Sequence, residues 1–298
     1  MTAPSSAPQP PQPQAAPVPQ QAAPQGPWQG APGAYTSPIP VRRTHLGHAL
    51  ASEWTKIKSV RSTMWTLGVF LLLVVGIGLL IAVTVSSADG SLVGTPLLSL
   101  GFFGLLVGSI CIITLGVLTT SSEYGTGMIR TTMTACPSRG RVLMAKAIIF
   151  FAVSFVITLL STGLVAVVQQ AALSDMGAAD PTTSEWLRAT LGVSLYIALL
   201  GLLALSIGAL LRHSAGGITI MIGLLLAPLV LALFMFAESM NDFREFLLEY
   251  SIPNQLGAFY GGTLSDSGPT GWDPLWIMLG LAAAGLVGAF AVLESRDV

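Results

Sequence analysis

Six long apolar runs, separated by shorter polar segments, dominate the chain after residue 64. They cover 65–85, 97–120, 147–168, 189–211, 218–237 and 275–293, and none contains Asp, Glu, Lys, Arg or His. A helix of about 20 apolar residues crosses the roughly 30 Å hydrocarbon core of a bilayer. The pattern therefore predicts an all-α membrane protein whose transmembrane domain, 65–298, has six transmembrane helices.

The chain before these runs divides into two segments of different character. Residues 1–43 contain 12 of the 19 prolines and carry no charge before Arg42, which predicts a disordered cytoplasmic tail. In 44–64 the apolar residues recur at helical spacing, which predicts an amphipathic helix lying on the inner leaflet. The residues assigned to this interfacial helix are Leu50, Glu53, Trp54, Lys56, Lys58 and Arg61. A plain membrane anchor and a surface that also contacts a partner both remain open.

Charge distribution orients the chain. The protein is 52% hydrophobic and only 9% charged, with a formal net charge of −1 and a mean hydropathy of +0.74. Of the 13 basic residues, 11 lie in the segments before the first run, after the second, after the fourth and at the C-terminus. Cytoplasmic loops of membrane proteins are enriched in Lys and Arg. Both termini and the segment 121–146 are therefore predicted to be cytoplasmic, and 238–274 to be an extracellular loop with short helices.

The apolar runs exclude several function classes. A proton-driven carrier or an intramembrane hydrolase needs ionisable residues at depth, and the runs contain none. A sodium site built from backbone carbonyls remains open. The chain has no G-x-x-x-x-G-K-[ST] loop, and its two cysteines and three histidines do not form a recognisable metal or disulfide pattern. We expect no cofactor, no metal and no nucleic-acid partner for this chain. Energy for transport would have to come from a separate subunit.

The segment 121–146 has the pattern of a helical elbow rather than of a simple connector. Thr126 is placed to cap a short helix. Pro137 should end that helix, and Ser138 can cap a new helix that leads into the third span. The apolar residues that share roughly one side of the short helix are Met128, Ile129, Met133 and Cys136.

This segment resembles the type-2 ATP-binding-cassette (ABC) transporter permeases. The resemblance consists of Glu-x-Gly-Thr, then Pro-x-Arg, then a Lys before the next span, which here are Glu123, Gly125, Thr126, Pro137, Arg139 and Lys146. The stretch "EWTKIKSVRSTMW" is similar to the pre-span helix of actinobacterial permeases, and "SIPNQLGAFY" to their outer segment before the last span. The resemblance covers roughly residues 46–298.

The resemblance implies a coupling helix that docks on an ABC ATPase subunit. The implied coupling residues are Glu123, Gly125, Thr126, Met128, Ile129, Arg130, Met133, Pro137, Arg139 and Lys146. Glu123 would act as a pivot paired with a nearby base, and Arg139, Arg141 and Lys146 would contact the ATPase or lipid phosphates. The resemblance also implies an exporter in the bacterial plasma membrane, with two permease and two ATPase subunits, in which the ATPase uses ATP and Mg. The alternative is a non-transporting membrane scaffold or sensor that binds a cytosolic protein through the same loop.

Overall fold

The computed structural model describes residues 45–87, 92, 95–136, 138–263 and 267–295. The predicted tail (1–43) and Pro137 lie outside these residues. Within them, six helices are long and apolar enough to cross a membrane. The fold class predicted from the apolar runs is therefore confirmed as an all-α protein with six candidate transmembrane helices.

Eleven α-helices follow one another along the described chain. They are α1 (Leu46–Ser59), α2 (Arg61–Ser86), α3 (Phe102–Gly125), α4 (Met128–Ala135), α5 (Arg139–Leu173), α6 (Thr183–Leu187), α7 (Val193–Leu211), α8 (Ser214–Phe234), α9 (Asn241–Glu249), α10 (Ile252–Ala258) and α11 (Asp273–Ser295). A 3-10 turn, Leu97–Gly101, leads into α3, and a π-helical segment, Arg188–Gly192, joins α6 to α7. The six candidate spans contain α2, α3, α5, α7, α8 and α11.

Helix α7 lies at the centre of the bundle. The most apolar window of its span is 83% buried, against 17% for that of α11 and 22% for those of α2 and α8. Small residues allow the close packing of α7 on α3. A Cβ atom on Gly116 would lie 2.6 Å from the carbonyl oxygen of Gly201, and one on Gly208 would lie 2.6 Å from that of Val117. The outer faces of α2, α8 and α11 are left to lipid or to another protein.

Two of the helices extend well beyond the apolar runs that predicted them, whereas α8 ends at Phe234, before the end of its run at residue 237. Helix α3 continues to Gly125, and α5 begins at Arg139, so most of 121–146 is helical. Helix α5 has 35 residues, and its first turns pack inward through Val142, Leu143 and Ala145 while Met144 is exposed. Hydropathy locates only the part of a helix that lies in hydrocarbon, which explains why the predicted bounds of α3 and α5 are too short at this end.

The end of the bundle away from α4 is closed by α9 and α10. Every residue of α10 is buried. The Ser251 hydroxyl accepts a hydrogen bond from the backbone N–H of Asn254 (3.3 Å), and the Asn254 side chain donates to the carbonyl of Glu249 (2.9 Å). Helix α9 is amphipathic but leaves Phe243 and Phe246 half exposed. The sequence predicted short helices here, and the structure contains them.

Candidate functional site

Three elements meet at the α4 end of the bundle: the interfacial helix α1, the last turn of α3 and the first turns of α5. Each contributes charged side chains to their junction. Glu53 and Lys56 come from α1, Glu123 from α3 and Lys146 from α5. Glu53, Glu123 and Lys146 are only 4–6% exposed, which is rare for charged residues unless they are paired.

These four residues form one continuous cluster of ion pairs, called here the charge cluster. Lys56 Nζ lies 2.7 Å from Glu53 Oε1 and 2.8 Å from Glu123 Oε1. Lys146 Nζ lies 2.9 Å from Glu53 Oε2 and 2.6 Å from Glu123 Oε1. Each ammonium group therefore bridges both carboxylates, and the two positive and two negative charges balance. The cluster ties α1, α3 and α5 together at one point.

Whether the charge cluster is stable depends on the cost of burying its four charges and on the attraction between them. Burying a charge costs several kcal/mol, and mutual attraction offsets that cost only when the geometry is good. Here every charged group has two partners of opposite sign within 3 Å. Among the described residues, Glu123 Oε2 is the cluster atom that is buried without a hydrogen-bond partner. Removing any one member would leave an uncompensated charge, so the cluster acts as a unit.

Lys56 is the cluster member that reaches solvent, with a side chain that is 27% exposed. Burial lowers the pKa of Lys56, but hydrogen bonds to Glu123 and Glu53 together raise it, and the net pKa is above the usual 10.5. The ammonium form of Lys56 is therefore retained throughout the physiological pH range. This residue keeps the cluster neutral overall.

Helix α4 is held between α3 and α5 by very short connections. Gly127 precedes α4 with a positive φ of 73°, a left-handed conformation that favours glycine. Thr126 does not cap α4, as the sequence suggested; it ends α3, and its hydroxyl donates to the carbonyl of Ser122 (2.8 Å). Gly127 takes the N-cap position because the chain must reverse within two residues. Ser138 does occupy the N-cap position of α5, but its side chain makes no capping hydrogen bond.

The apolar side of α4 faces the bundle. Ile129 is 7% exposed, and with Met133 it lines a small cavity that Glu123 and Lys146 also line. The sequence grouped Met128 with these residues, but Met128 is 47% exposed and points away. Because Ile129 and Met133 complete the internal packing, they are not available as an outer contact surface. The exposed side of α4 carries Met128, Arg130, Thr131 and Thr134.

Other residues expected at the site lie around this junction. Arg139 Nη1 donates to the carbonyl of Leu293 at the end of α11 (2.8 Å). Lys146 does not reach a lipid or partner surface, because it is 4% exposed and paired with both glutamates. Gly125 is exposed at the end of α3.

The expected interfacial helix is shorter than predicted. Helix α1 ends at Ser59, and Val60 has an extended backbone before α2 begins at Arg61. Trp54 is 47% exposed, and Lys58 Nζ lies 5.6 Å from the centre of its ring, within cation–π range. Leu50 is half-buried. The residue of α1 that is most buried is the acid Glu53, rather than any of the apolar stripe.

The sequence identified all four cluster residues as candidates but missed their mutual contact. Glu53 and Lys56 were assigned to the interfacial helix, and Glu123 and Lys146 came from the resemblance, which paired Glu123 with a base that it did not name. Residue spacing could not reveal the contact, since Lys146 is 93 positions from Glu53. No group of three or more His, Cys, Asp or Glu side chains that could hold a metal occurs in the described part of the chain.

The fold and this junction define a multi-pass membrane protein with a helical elbow at one end of its bundle. Residues 49–227, more than half of the chain, match the family model described as ABC-2 family transporter protein. The chain therefore belongs to the ABC-2 transporter family and is a transport permease. The match contains the charge cluster and α4. A comparison with curated proteins found no match.

Proposed function

We propose that this chain is the membrane-spanning subunit of an ATP-driven exporter, powered by a separate ABC ATPase that docks on α4. The observation that carries the proposal is the construction of the α4 end: a short helix with an exposed side, joined within two residues to a span and braced by a buried charge cluster. Export is the direction that the resemblance to type-2 permeases implies. ATP and Mg would be bound by the ATPase.

The exposed surface beside α4 supports docking there. Helices α1 and α4 enclose a groove of about 350 Å³, lined among others by Ser52, Lys56, Met128 and Thr132. Arg130 and Thr131 are exposed on the same short helix. An apolar side chain flanked by polar and basic groups is typical of the edge of a protein interface. A partner seated on α4 would therefore also reach α1 and the exposed edge of the charge cluster at Lys56.

The charge cluster would pass a displacement of α4 on to the ends of the transmembrane helices. A displacement of α4 acts on α3 through 126–127 and on α5 through 136–138, because these connections are short. The cluster joins the same ends of α3 and α5 to α1, so the three helix ends move together. Helix α7, packed against both α3 and α5, would carry the displacement into the centre of the bundle. Glu123 acts in this scheme as the pivot, and Lys146 as an internal brace.

The outer faces of α2, α8 and α11 are only lightly buried, which favours an assembly with further subunits or lipid around this chain. We propose a second permease copy or homologue, two ATPase subunits and a bacterial plasma membrane around them, with both termini in the cytoplasm. The bias of 11 of 13 basic residues to one side of the chain supports this orientation.

Copurification of an ABC ATPase with the tagged chain tests the docking proposal. The full chain is purified from its native membrane in mild detergent, and bound proteins are quantified by mass spectrometry. We expect an ABC ATPase at one copy per chain, and at least tenfold less with Met128→Asp, because a charge would then lie in the contact surface.

The matched control is Met144→Asp, which places the same charge on another exposed methionine outside α4. This variant should retain the ATPase at the level of the unaltered chain. Absence of any ABC ATPase, or its equal retention by Met128→Asp, would contradict docking on α4.

A further inference from the structure

A cavity, called here the outer cavity, opens at the end of the bundle away from α4. It lies between the 3-10 turn that leads into α3, the start of α6 and the residues after α10, and its volume is about 210 Å³. Its apolar lining includes Pro96, Leu97, Leu98 and Phe259, and Tyr260 lines it as well. Docking of an ATPase on α4 does not involve this cavity.

A much smaller pocket, called here the inner pocket, adjoins the outer cavity on the side of the bundle core. The two spaces share Leu98, Ala189 and Tyr260 as lining residues. The inner pocket has a volume of about 10 Å³, which is the space of a single water-sized group. A molecule in the outer cavity could therefore place one small polar group in the inner pocket.

Gln169 of α5 gives the inner pocket a polar atom that lacks a partner. The residue lines the pocket and is fully buried. Its Nε2 donates to the carbonyl of Gly78 in α2 (3.3 Å), and this contact fixes the orientation of the amide, because only the nitrogen can donate. Gln169 Oε1 is left buried, and the described residues offer it no hydrogen-bond partner. Because buried acceptors are normally paired, we expect a donor from another molecule at this atom.

Gly101 keeps the space in front of Gln169 Oε1 open. A Cβ atom on Gly101 would lie 3.8 Å from Gln169 Oε1 and 3.9 Å from Tyr260 Oη. Both oxygen atoms therefore border the same space beside the backbone of Gly101. A hydroxyl group placed there can donate to Gln169 and accept from Tyr260. An ammonium group would be a poorer occupant, because its charge would be buried beside neutral side chains.

The charged side chains that line the outer cavity are acidic. They are Asp180 and Glu185, both exposed, and the described lining contains no Lys, Arg or His. Arg188, one turn after Glu185, does not line the cavity. The loop residues outside the described part of the chain, 88–91 and 93–94 before α3 and 264–266 before α11, contain two Asp and no basic residue. The opening of the cavity therefore favours a cationic group over an anionic one.

We propose that the outer cavity binds a small aliphatic amino alcohol. Its hydroxyl group occupies the inner pocket at Gln169 and Tyr260. Its alkyl part packs on Phe259, and its ammonium group faces Asp180 and Glu185. The outer cavity is smaller than the roughly 300–1,000 Å³ of pockets for drug-sized ligands, which favours a short molecule. Binding here requires no ATPase, so this proposal does not depend on docking at α4.

Binding of 6-amino-1-hexanol to the purified full chain in mild detergent tests the site, with dissociation constants measured by saturation-transfer difference NMR. Gly101→Ala should weaken binding about tenfold, because the added methyl group takes the space of the ligand hydroxyl and its hydrogen bonds are lost. The fold should tolerate this change, since the nearest atom to the new Cβ, Val165 Cγ1, would lie at an ordinary contact distance of 3.6 Å. The matched control is Gly163→Ala, at a glycine of α5 with open space at its Cβ position, which should leave binding unchanged.

Two further variants test the two ends of the ligand. Gln169→Met removes the acceptor but keeps an unbranched side chain, and it should weaken binding about tenfold. Asp180→Asn should weaken binding of 6-amino-1-hexanol about two- to fivefold, because an exposed ion pair is lost, and should not affect the uncharged 1,6-hexanediol. Asp242→Asn changes an exposed acid of α9 that does not line the cavity, and it should have no effect. A monodisperse elution profile shows that each variant is folded.

Several results would overturn the proposal. Unchanged binding in Gly101→Ala would mean that the inner pocket holds no ligand group and at most a water molecule. Hexylamine, which lacks the hydroxyl group, should bind more weakly, and so should 6-hydroxyhexanoate, which has a carboxylate in place of the ammonium group. Equal binding of either compound, or the absence of saturable binding of 6-amino-1-hexanol, would contradict the site. These results are independent of whether an ABC ATPase copurifies with the chain.

Discussion

At the scale of single residues, Glu123 and Lys146 carry the clearest energetic prediction. Their atoms lie 2.6 Å apart and are nearly inaccessible to solvent. Removing one partner from a buried ion pair costs about 3–5 kcal/mol, because the other charge is left buried. Lys146→Met should therefore lower the free energy of unfolding by about that amount. It leaves two carboxylates facing the single ammonium of Lys56.

A double-mutant cycle measures the interaction energy between Glu123 and Lys146 apart from their contacts with other residues. We expect Glu123→Gln and Lys146→Gln to couple by about 1–3 kcal/mol in unfolding experiments in mixed detergent micelles. The control cycle combines Glu123→Gln with Lys58→Gln, an exposed lysine of α1 outside the cluster, and should be additive within about 0.5 kcal/mol. A coupling near zero for the first cycle would show that the contact has no energetic role.

The raised pKa of Lys56 predicts how the stability of the folded chain changes with pH. Its pKa in the folded chain is raised above the usual 10.5, so its contribution to stability is fully present below pH 10.5 and is lost as the pH rises through the folded value. The difference in unfolding temperature between the unaltered chain and Lys56→Met should stay constant from neutral pH up to pH 10.5 and shrink as the pH rises through the folded pKa. A difference that already shrinks near neutral pH would contradict the ion pairing seen here.

At the scale of elements, the turn between α3 and α4 depends on a single glycine. Gly127 has a φ of 73°, a conformation that costs an alanine roughly 1–2 kcal/mol. Gly127→Ala should therefore accelerate hydrogen exchange of the α4 amides. Gly125→Ala is the control, because Gly125 ends α3 without a positive φ and has open space at its Cβ position. Equal exchange rates in the two variants would mean that the turn is not strained.

The elements also show what sequence could and could not predict. The apolar runs predicted all six spans, because hydrophobic length is a local property. The elbow at 121–146 was predicted as a helical segment, but Thr126 was given the role that Gly127 has. Helical periodicity cannot say which side of α4 meets the protein. Ile129 and Met133 turned inward because α3 and α5 present a surface there, which only the tertiary structure shows.

The charge cluster could not have been predicted from spacing. Its members lie on three helices, and ion pairing between α1 and α5 depends on how α1 folds back onto the bundle. The resemblance gave Lys146 a contact with the ATPase or lipid phosphates, and Lys56 was assigned only to the interfacial helix. In the structure both lysines neutralise two buried acids. Glu53 is the clearest case, since it is the most buried residue of α1 although it lies beside the apolar stripe and not on it.

At the scale of the whole molecule, we propose that ATP hydrolysis by the partner subunit acts at the α4 end of the bundle and moves the opposite end. An electron spin resonance distance measurement tests it directly and does not require a known substrate. Spin labels at Leu187 and Phe243, both about half exposed at the end away from α4, would report the movement in a chain with Cys111 and Cys136 replaced by serine.

We expect the distance between the two labels to change when ATP is added to the purified complex of the chain with its ABC ATPase, and to stay the same when ATP is added to the chain alone. A change with ATP in the absence of any other polypeptide, or no change in the complete complex, would contradict coupling through the α4 end.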